Sequence, residues 1–472
     1  MIEPPTNASN RISAAGAVRR CLLAATAVAS GMASLAASSA VPVIPGASTH
    51  GITTAAGRGG TVYRVTNLND SGTGSLRACV SASGPRVCVF EVSGTIKMSR
   101  DLSFNNPNIT VAGQTAPSPG IMLRGGGLDV KTSNVLIQHL RVRPGDDPDG
   151  AAPGNRDGVK ISGPADKPTI TNIVIDHCSF SWSVDEIASV WANWNNVSLT
   201  NNIFAEPLHD SIHPEGPHGY GVIFGPVDGS VTLAGNLISG ARSRNPLTNA
   251  TRAVIVNNVV YNWANLATEL QSQQGAKTNN SVVGNVYLRG PDTTGRSPIL
   301  IRADKTKLPS GSKVFLADNL ADGVSADPWS LAEPVFGTIS LTDFKSTAPV
   351  AWPAGFTTMP TQGDVVKNHV LKYAGARPAD RDSVDKRVVE NVRKGGGGTI
   401  NCVASNGTSR CNKNAGGWPS LAQNKRTLQL PANPNTVTAS GYTNLELWLH
   451  DMAAQVEGRS TRAPEAPVLS QR

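Results

Sequence analysis

Apolar and polar residues alternate in a short pattern that recurs down the middle of the chain. A polar residue opens each copy, at Asn108, Asn134, Asn172, Asn196, Ser230, Arg252 and Lys313, and apolar residues follow one and three positions later. Alternation with period two predicts a short strand at each place. Recurrence every 20–50 residues predicts a solenoid of stacked coils. Six positions into these copies runs a column of asparagines: Asn202, Asn236, Asn258, Asn285 and Asn319, separated by 34, 22, 27 and 34 residues. One residue type at variable spacing describes a constant coil interrupted by loops. Asn tolerates the left-handed backbone of a sharp bend, and stacked amides satisfy one another and the buried backbone. The fold class is therefore all-β, a right-handed parallel β-helix.

The open ends of such a helix need covering. Residues 41–105 mix strand and turn signals and read as an N-terminal cap with the first strands. Residues 106–345 carry the β-helix, and 346–472 form a small, partly helical C-terminal capping region. Within it, Val384, Val388, Val389 and Val392 fall on one helical face that ends before the glycines at 395–398. A second short helix over 443–454 buries Leu445, Trp448, Leu449 and Met452. Residues 324–370 are Pro-rich and show no clear pattern.

Composition agrees with this reading. Charged residues make up 16% and aromatics 5%, while 47 Gly and 32 Pro supply turns. Residues 1–40 read as a signal peptide. Arg11, Arg19 and Arg20 precede an apolar, small-residue run over 21–37 and small residues at 38–40. This predicts a secreted, extracellular protein with no membrane attachment after cleavage. Export allows disulfides: Cys79 and Cys88 are nine apart, as are Cys402 and Cys411, and Cys178 is left over as a buried apolar group. No Cys-x-x-Cys pair exists, which argues against a zinc site. The formal charge is +8; removing 1–40 takes away three Arg and one Glu and leaves +6. A mildly basic secreted protein suits an acidic polysaccharide by long-range attraction. Nothing points to nucleic acid, and a monomer is expected.

Chemistry gathers in loops that stacking places side by side. Asp146, Asp147, Asp149 and Asp157 lie in one loop, Asp185 and Glu186 one coil later. Carboxylate oxygens suit Ca²⁺, which takes six to eight hard ligands; turn and helix-capping roles are the alternative. Asp157 and Asp185 are the preferred metal ligands, with Glu186 and Asp146 in support. Arg242 and Arg244 share a face if the backbone is extended, where a uronate carboxylate would relieve their repulsion. His209, His213 and His218 fit acid–base work, metal ligation or the holding of turns; His213 and His218 are placed in the substrate cleft.

Several segments together resemble secreted pectate lyases: 59–72, 109–115, 139–146, 176–186, 218–221 and 441–446, covering roughly residues 55–330 and 371–455. The resemblance implies a Ca²⁺-dependent β-elimination that cleaves 1,4-linked polygalacturonate to unsaturated oligogalacturonides. It implies an arginine base in an Arg-x-Pro-x-x-Arg motif, whose front half matches Arg244, Asn245 and Pro246. Asn249 replaces the second arginine, leaving Arg242 or Arg252 to bind the substrate carboxylate. Asp157 and Asp185 match family metal ligands, while two further ligand positions fall on the neutral Asn155 and Ser189. The lysine expected after Asn202 is absent. Two other readings use the same scaffold: a polygalacturonan hydrolase using Asp146 and Asp147 or Asp185 and Glu186, and a non-catalytic glycan-binding β-helix.

Overall fold

The computed structural model describes residues 41–460, except 274, 295–296, 304–307, 323–326 and 337–340. The signal peptide expected at 1–40 lies outside the described residues.

The strands form three parallel sheets, each paired coil to coil. The first sheet has ten strands, from Thr61–Val65 to Lys313–Ala317. The second has nine, from Gly94–Lys97 to Leu320–Ala321. The third also has nine, from Leu102–Phe104 to Ala332–Phe336. One coil shows the path: Ile170–Asp176 in the first sheet, Ser179–Ser181 in the second, Glu186–Val190 in the third, then Trp194–Thr200 back in the first. This is a parallel β-helix. Strand register stacks like residues. Ile175 pairs Ile137 and Leu199, which pairs Leu233, then Ile255, Val282 and Leu316. These side chains are buried in one continuous core, where removal of apolar surface from water supplies the main stabilisation.

The asparagine column lies at the bend between the first and second sheets. The backbone N–H of Asn202, Asn236, Asn258 and Asn285 donates to the next coil's Asn Oδ1 at 2.8, 3.0, 3.0 and 3.1 Å. Each side-chain Nδ2 bonds the same oxygen and a strand carbonyl of the preceding coil, as Asn258 does with Leu233. All five residues are fully buried. Cys178 occupies the equivalent place one coil earlier, where its N–H donates to Asn202 Oδ1 at 2.8 Å. Its thiol is free and buried, and burial pushes its pKa up. A second amide ladder joins the asparagines that open the early copies. Asn134 Nδ2 donates to Asn108 at 2.9 Å and Asn172 Nδ2 to Asn134 at 3.3 Å, all three with φ near +60°.

The first sheet is covered on its outer face as well, which explains the apolar Leu136, Val174 and Val254 there. Val43, Ile52 and Ala56 pack on Leu136 and Val174. Trp352 and Phe356 pack on Val254 and Val256. The helix Asn444–Glu457 lays Leu445 and Leu449 on Val87, Val89 and Ala112, while Trp448 and Met452 are only partly buried. A capping box between Thr443 and Glu446 starts this helix. The helix Ser383–Lys394 buries the four expected valines and ends on Gly395 at φ 69°. With Val365–Tyr373 it packs on Ile203, Leu237 and Val259 of the second sheet. These C-terminal helices thus run along the flank of the coils. At the end of the stack, Phe344 enters the main core beside Val314.

Two disulfides are formed, Cys79–Cys88 and Cys402–Cys411, with Cα separations of 6.0 and 5.4 Å. Among the described residues no helix is long and apolar enough to cross a membrane.

Candidate active site

The loops from the second to the third sheet bring acids and one arginine together at the start of the third-sheet strands. Asp157 precedes Val159–Ile161, and Asp185 and Glu186 open Glu186–Val190 on the next coil. One oxygen from each of Asp157, Asp185 and Glu186 lies within 4.8 Å of the others. Asp157 is 4% exposed, and its Oδ1 accepts the Glu186 N–H at 3.1 Å. Burial raises the Asp157 pKa well above the carboxylate range, and Asp185 adds to the rise. Burial also raises Asp185, against the pull of His218, His213 and Arg244. A buried carboxylate so close to a half-buried one is costly unless one is protonated or both are held by a cation. The donors are all hard oxygens, so the set fits Ca²⁺.

Arg244 comes from two coils further on, before the strand Leu247–Thr248. Its backbone is left-handed at φ 64°, which breaks the extended geometry assumed for a shared face with Arg242. Its guanidinium lies 4.0 Å from the centre of the Tyr220 ring and meets Glu186 Oε1 in an ion pair. Burial lowers its pKa, while Asp185, Glu269 and Asp157 oppose the fall. Arg242 instead faces a neighbouring cleft with His209 and Asn265.

The histidines divide. His209 bonds the His218 carbonyl through Nδ1 at 2.9 Å and holds the loop. His213 and His218 lie with ring centres 3.5 Å apart and planes tilted by 32°, and both point Nε2 at Asp185, 3.9 and 3.6 Å away. His213 Nδ1 accepts the Glu215 N–H, so a neutral His213 carries its proton on Nε2, where it meets no hydrogen-bond partner.

Two further expected participants are not brought here. Asp146 turns to the second disulfide segment, where its Oδ1 accepts the Val403 N–H at 3.1 Å. Arg252 starts a first-sheet strand and pairs with Asp228 at 2.7 Å. Conversely, the pattern reading passed over Lys160. This residue lies in the third sheet beside Ser189 of the next coil, and its Nζ donates to Asn155 Oδ1 at 3.1 Å. It also acts electrostatically on Asp157 and Asp185. A lone polar residue between Val159 and Ile161 was the only signal for it.

No protein-family model matches the chain. The curated protein named probable pectate lyase C from Aspergillus fumigatus is 30% identical over 444 residues, 88% of this chain and 94% of its own length. The protein of the same name from Aspergillus flavus is 31% identical over 442 residues, with the same coverage. The chain belongs to the pectate lyase family. The crystal structure of the major allergen from cedar pollen is also similar, with TM-score 0.51 and 17% identity over 69% of this chain and 91% of that one, a likeness of fold.

Within this pectate lyase, the neutral Asn155 and Ser189 are the two residues that flank Lys160. Asn249 is 1% exposed, and its amide bonds the Phe224 carbonyl, so it holds a turn. Several motif residues that carried the resemblance serve the fold. Arg143 pairs with Asp382 and Asp385 at 2.5 and 2.7 Å, and Arg141 approaches both. His177 Nδ1 sits 2.7 Å from Asp176 and 3.6 Å from Glu457 of the last helix.

Proposed function

We propose that this protein is a secreted, Ca²⁺-dependent lyase that cleaves polygalacturonate by β-elimination, with Arg244 as the base. The observation that carries the reading is the desolvated Arg244 guanidinium, stacked on Tyr220 and in contact with the Asp157–Asp185–Glu186 carboxylate set. Asp157, Asp185 and Glu186 would hold Ca²⁺, which when bound neutralises the substrate carboxylate and acidifies the adjacent C–H. The reaction itself needs few protein groups. Arg244, its pKa lowered by burial, takes the proton from the carbon that bears the carboxylate. The electron pair left behind forms a C–C double bond as the glycosidic oxygen leaves with its chain and takes a proton from solvent; Arg244 returns its proton to solvent, so no water is consumed. The Lys160 ammonium, beside Ser189 in the third sheet, would bind substrate carboxylates or hydroxyls, while His213, buried against Asp185, would orient that carboxylate. Two disulfides and the leader-like text of residues 1–40 support export.

Product analysis tests the proposal. Digestion of demethylated pectin yields oligomers with an unsaturated, ultraviolet-absorbing end, and a chelator stops it until Ca²⁺ is restored. Saturated products alone would identify a hydrolase, and no products at all a binding protein.

A further inference from the structure

A polar cleft of about 410 Å³ opens beside the catalytic arginine, a size within the usual range for small-ligand sites, ~300–1,000 Å³. His209, Asp210, Arg242, Asn265, Asn401 and Lys413 are among its walls. They come from two sources. Arg242 and Asn265 belong to successive coils, joined where the Asn265 N–H donates to the Arg242 carbonyl at 2.7 Å. Asn401 and Lys413 flank the loop closed by Cys402–Cys411, and the Asn401 N–H donates to the Lys413 carbonyl at 2.8 Å. This second wall is fastened to the coil. The His209 N–H donates to the Ile400 carbonyl at 2.8 Å, and the Asp210 N–H to Asn401 Oδ1 at 3.3 Å.

The charges in the cleft are unevenly matched. Asp292 is engaged by Asn262 and by Thr399, and Asp210 faces Arg410 at 3.4 Å. Among the described residues, neither the Arg242 guanidinium nor the Lys413 ammonium forms an ion pair or a side-chain hydrogen bond. Both side chains line the same cleft, beside His209. Arg242 and Lys413 line the cleft with no carboxylate paired to either, and Arg engages a carboxylate with two parallel bonds.

We propose that this cleft is a subsite for one uronate unit of the substrate, its carboxylate held between Arg242 and Lys413. The proposal rests on the lyase reading for the identity of the chain that enters it. The disulfide-closed segment therefore extends the binding groove past Arg244, and the enzyme favours oligomers long enough to reach it.

The test is binding without turnover. Oligogalacturonates of increasing length are titrated calorimetrically into Arg244→Ala protein in Ca²⁺, with and without Lys413→Glu. Lys413 is exposed, so its replacement leaves the thermal midpoint unchanged. Lys413→Glu weakens binding about tenfold for oligomers that reach the cleft, the size of one lost charge-assisted contact. It leaves the shortest oligomer that binds unaffected, and Lys413→Ala gives a smaller loss with the same length dependence. Fully methyl-esterified oligomers show no difference between the variants. Equal affinity of Lys413→Glu and its parent at every length would overturn the subsite, as would equal weakening at every length or with esterified oligomers. Should the wild-type protein show the Lys413 dependence yet release no unsaturated product, the lyase reading falls and the uronate subsite stands.

Discussion

Asp157 and Asp185 set the behaviour of the site at the scale of single residues. Their folded pKa values are raised above those of the unfolded chain, so the folded state holds more protons as pH climbs through the carboxylate range. Stability contributed by these groups is thus present in acid and lost as pH rises toward the raised folded values. A cation that binds only the ionised, folded form restores it. The Ca²⁺-induced rise in Tm is accordingly expected to grow between pH 4 and pH 8, and to vanish in Asp157→Asn; thermal melts with and without Ca²⁺ across that range check this. Lys160 supplies a second residue-scale prediction. Lys160→Ala removes a fixed cation between Asn155 and Ser189. The expected outcome is a KM for polygalacturonate raised about fivefold with kcat little changed, the pattern of lost uniform binding.

At the scale of elements, the asparagine ladder and the Arg141–Arg143 network join pieces of chain remote in sequence. Asn258→Ala leaves the Asn236 N–H and the Leu233 carbonyl without their buried partners. Each orphaned group costs ~1–3 kcal/mol, so denaturant unfolding is expected to show a loss of about 3 kcal/mol. Asp385→Ala is expected to cost ~3–5 kcal/mol, because Arg143 and Arg141 stay buried beside a missing carboxylate. Asp382 still faces both arginines in that variant, so circular dichroism should report a weakened native fold. The ladder was legible in the sequence because one residue type recurs at the same place in five coils. Arg141 and Arg143 were not: a charged residue reads as exposed until its carboxylate partners, over two hundred residues away, are known.

At the scale of the molecule, a solenoid turns sequence position into direction. The three-sheet coil was readable from alternation and the asparagine register, and the two helices from their apolar faces. Direction was harder. Arg252 and Arg244 are eight residues apart, yet the bend between the third and first sheets sends one to Asp228 and the other to Glu186. Asp146 and Asp157 share a loop, but the returning C-terminal segment draws Asp146 to Val403. Loop length and the packing of a distant segment decided these cases, and neither has a local signature. The part of the site that was legible, Asp157, Asp185, Glu186 and Arg244, sits at strand starts, where the coil register itself fixes position.

The central claim is that Arg244 removes the proton in an elimination reaction. It is tested most directly by the rate of unsaturated product release from demethylated pectin in Ca²⁺ by wild-type and Arg244→Ala protein, with Ca²⁺ binding measured on both. The account predicts a fall in kcat of about 10³-fold or more in the variant, with Ca²⁺ still bound and the fold intact. Unsaturated product released by Arg244→Ala at the wild-type rate would contradict it.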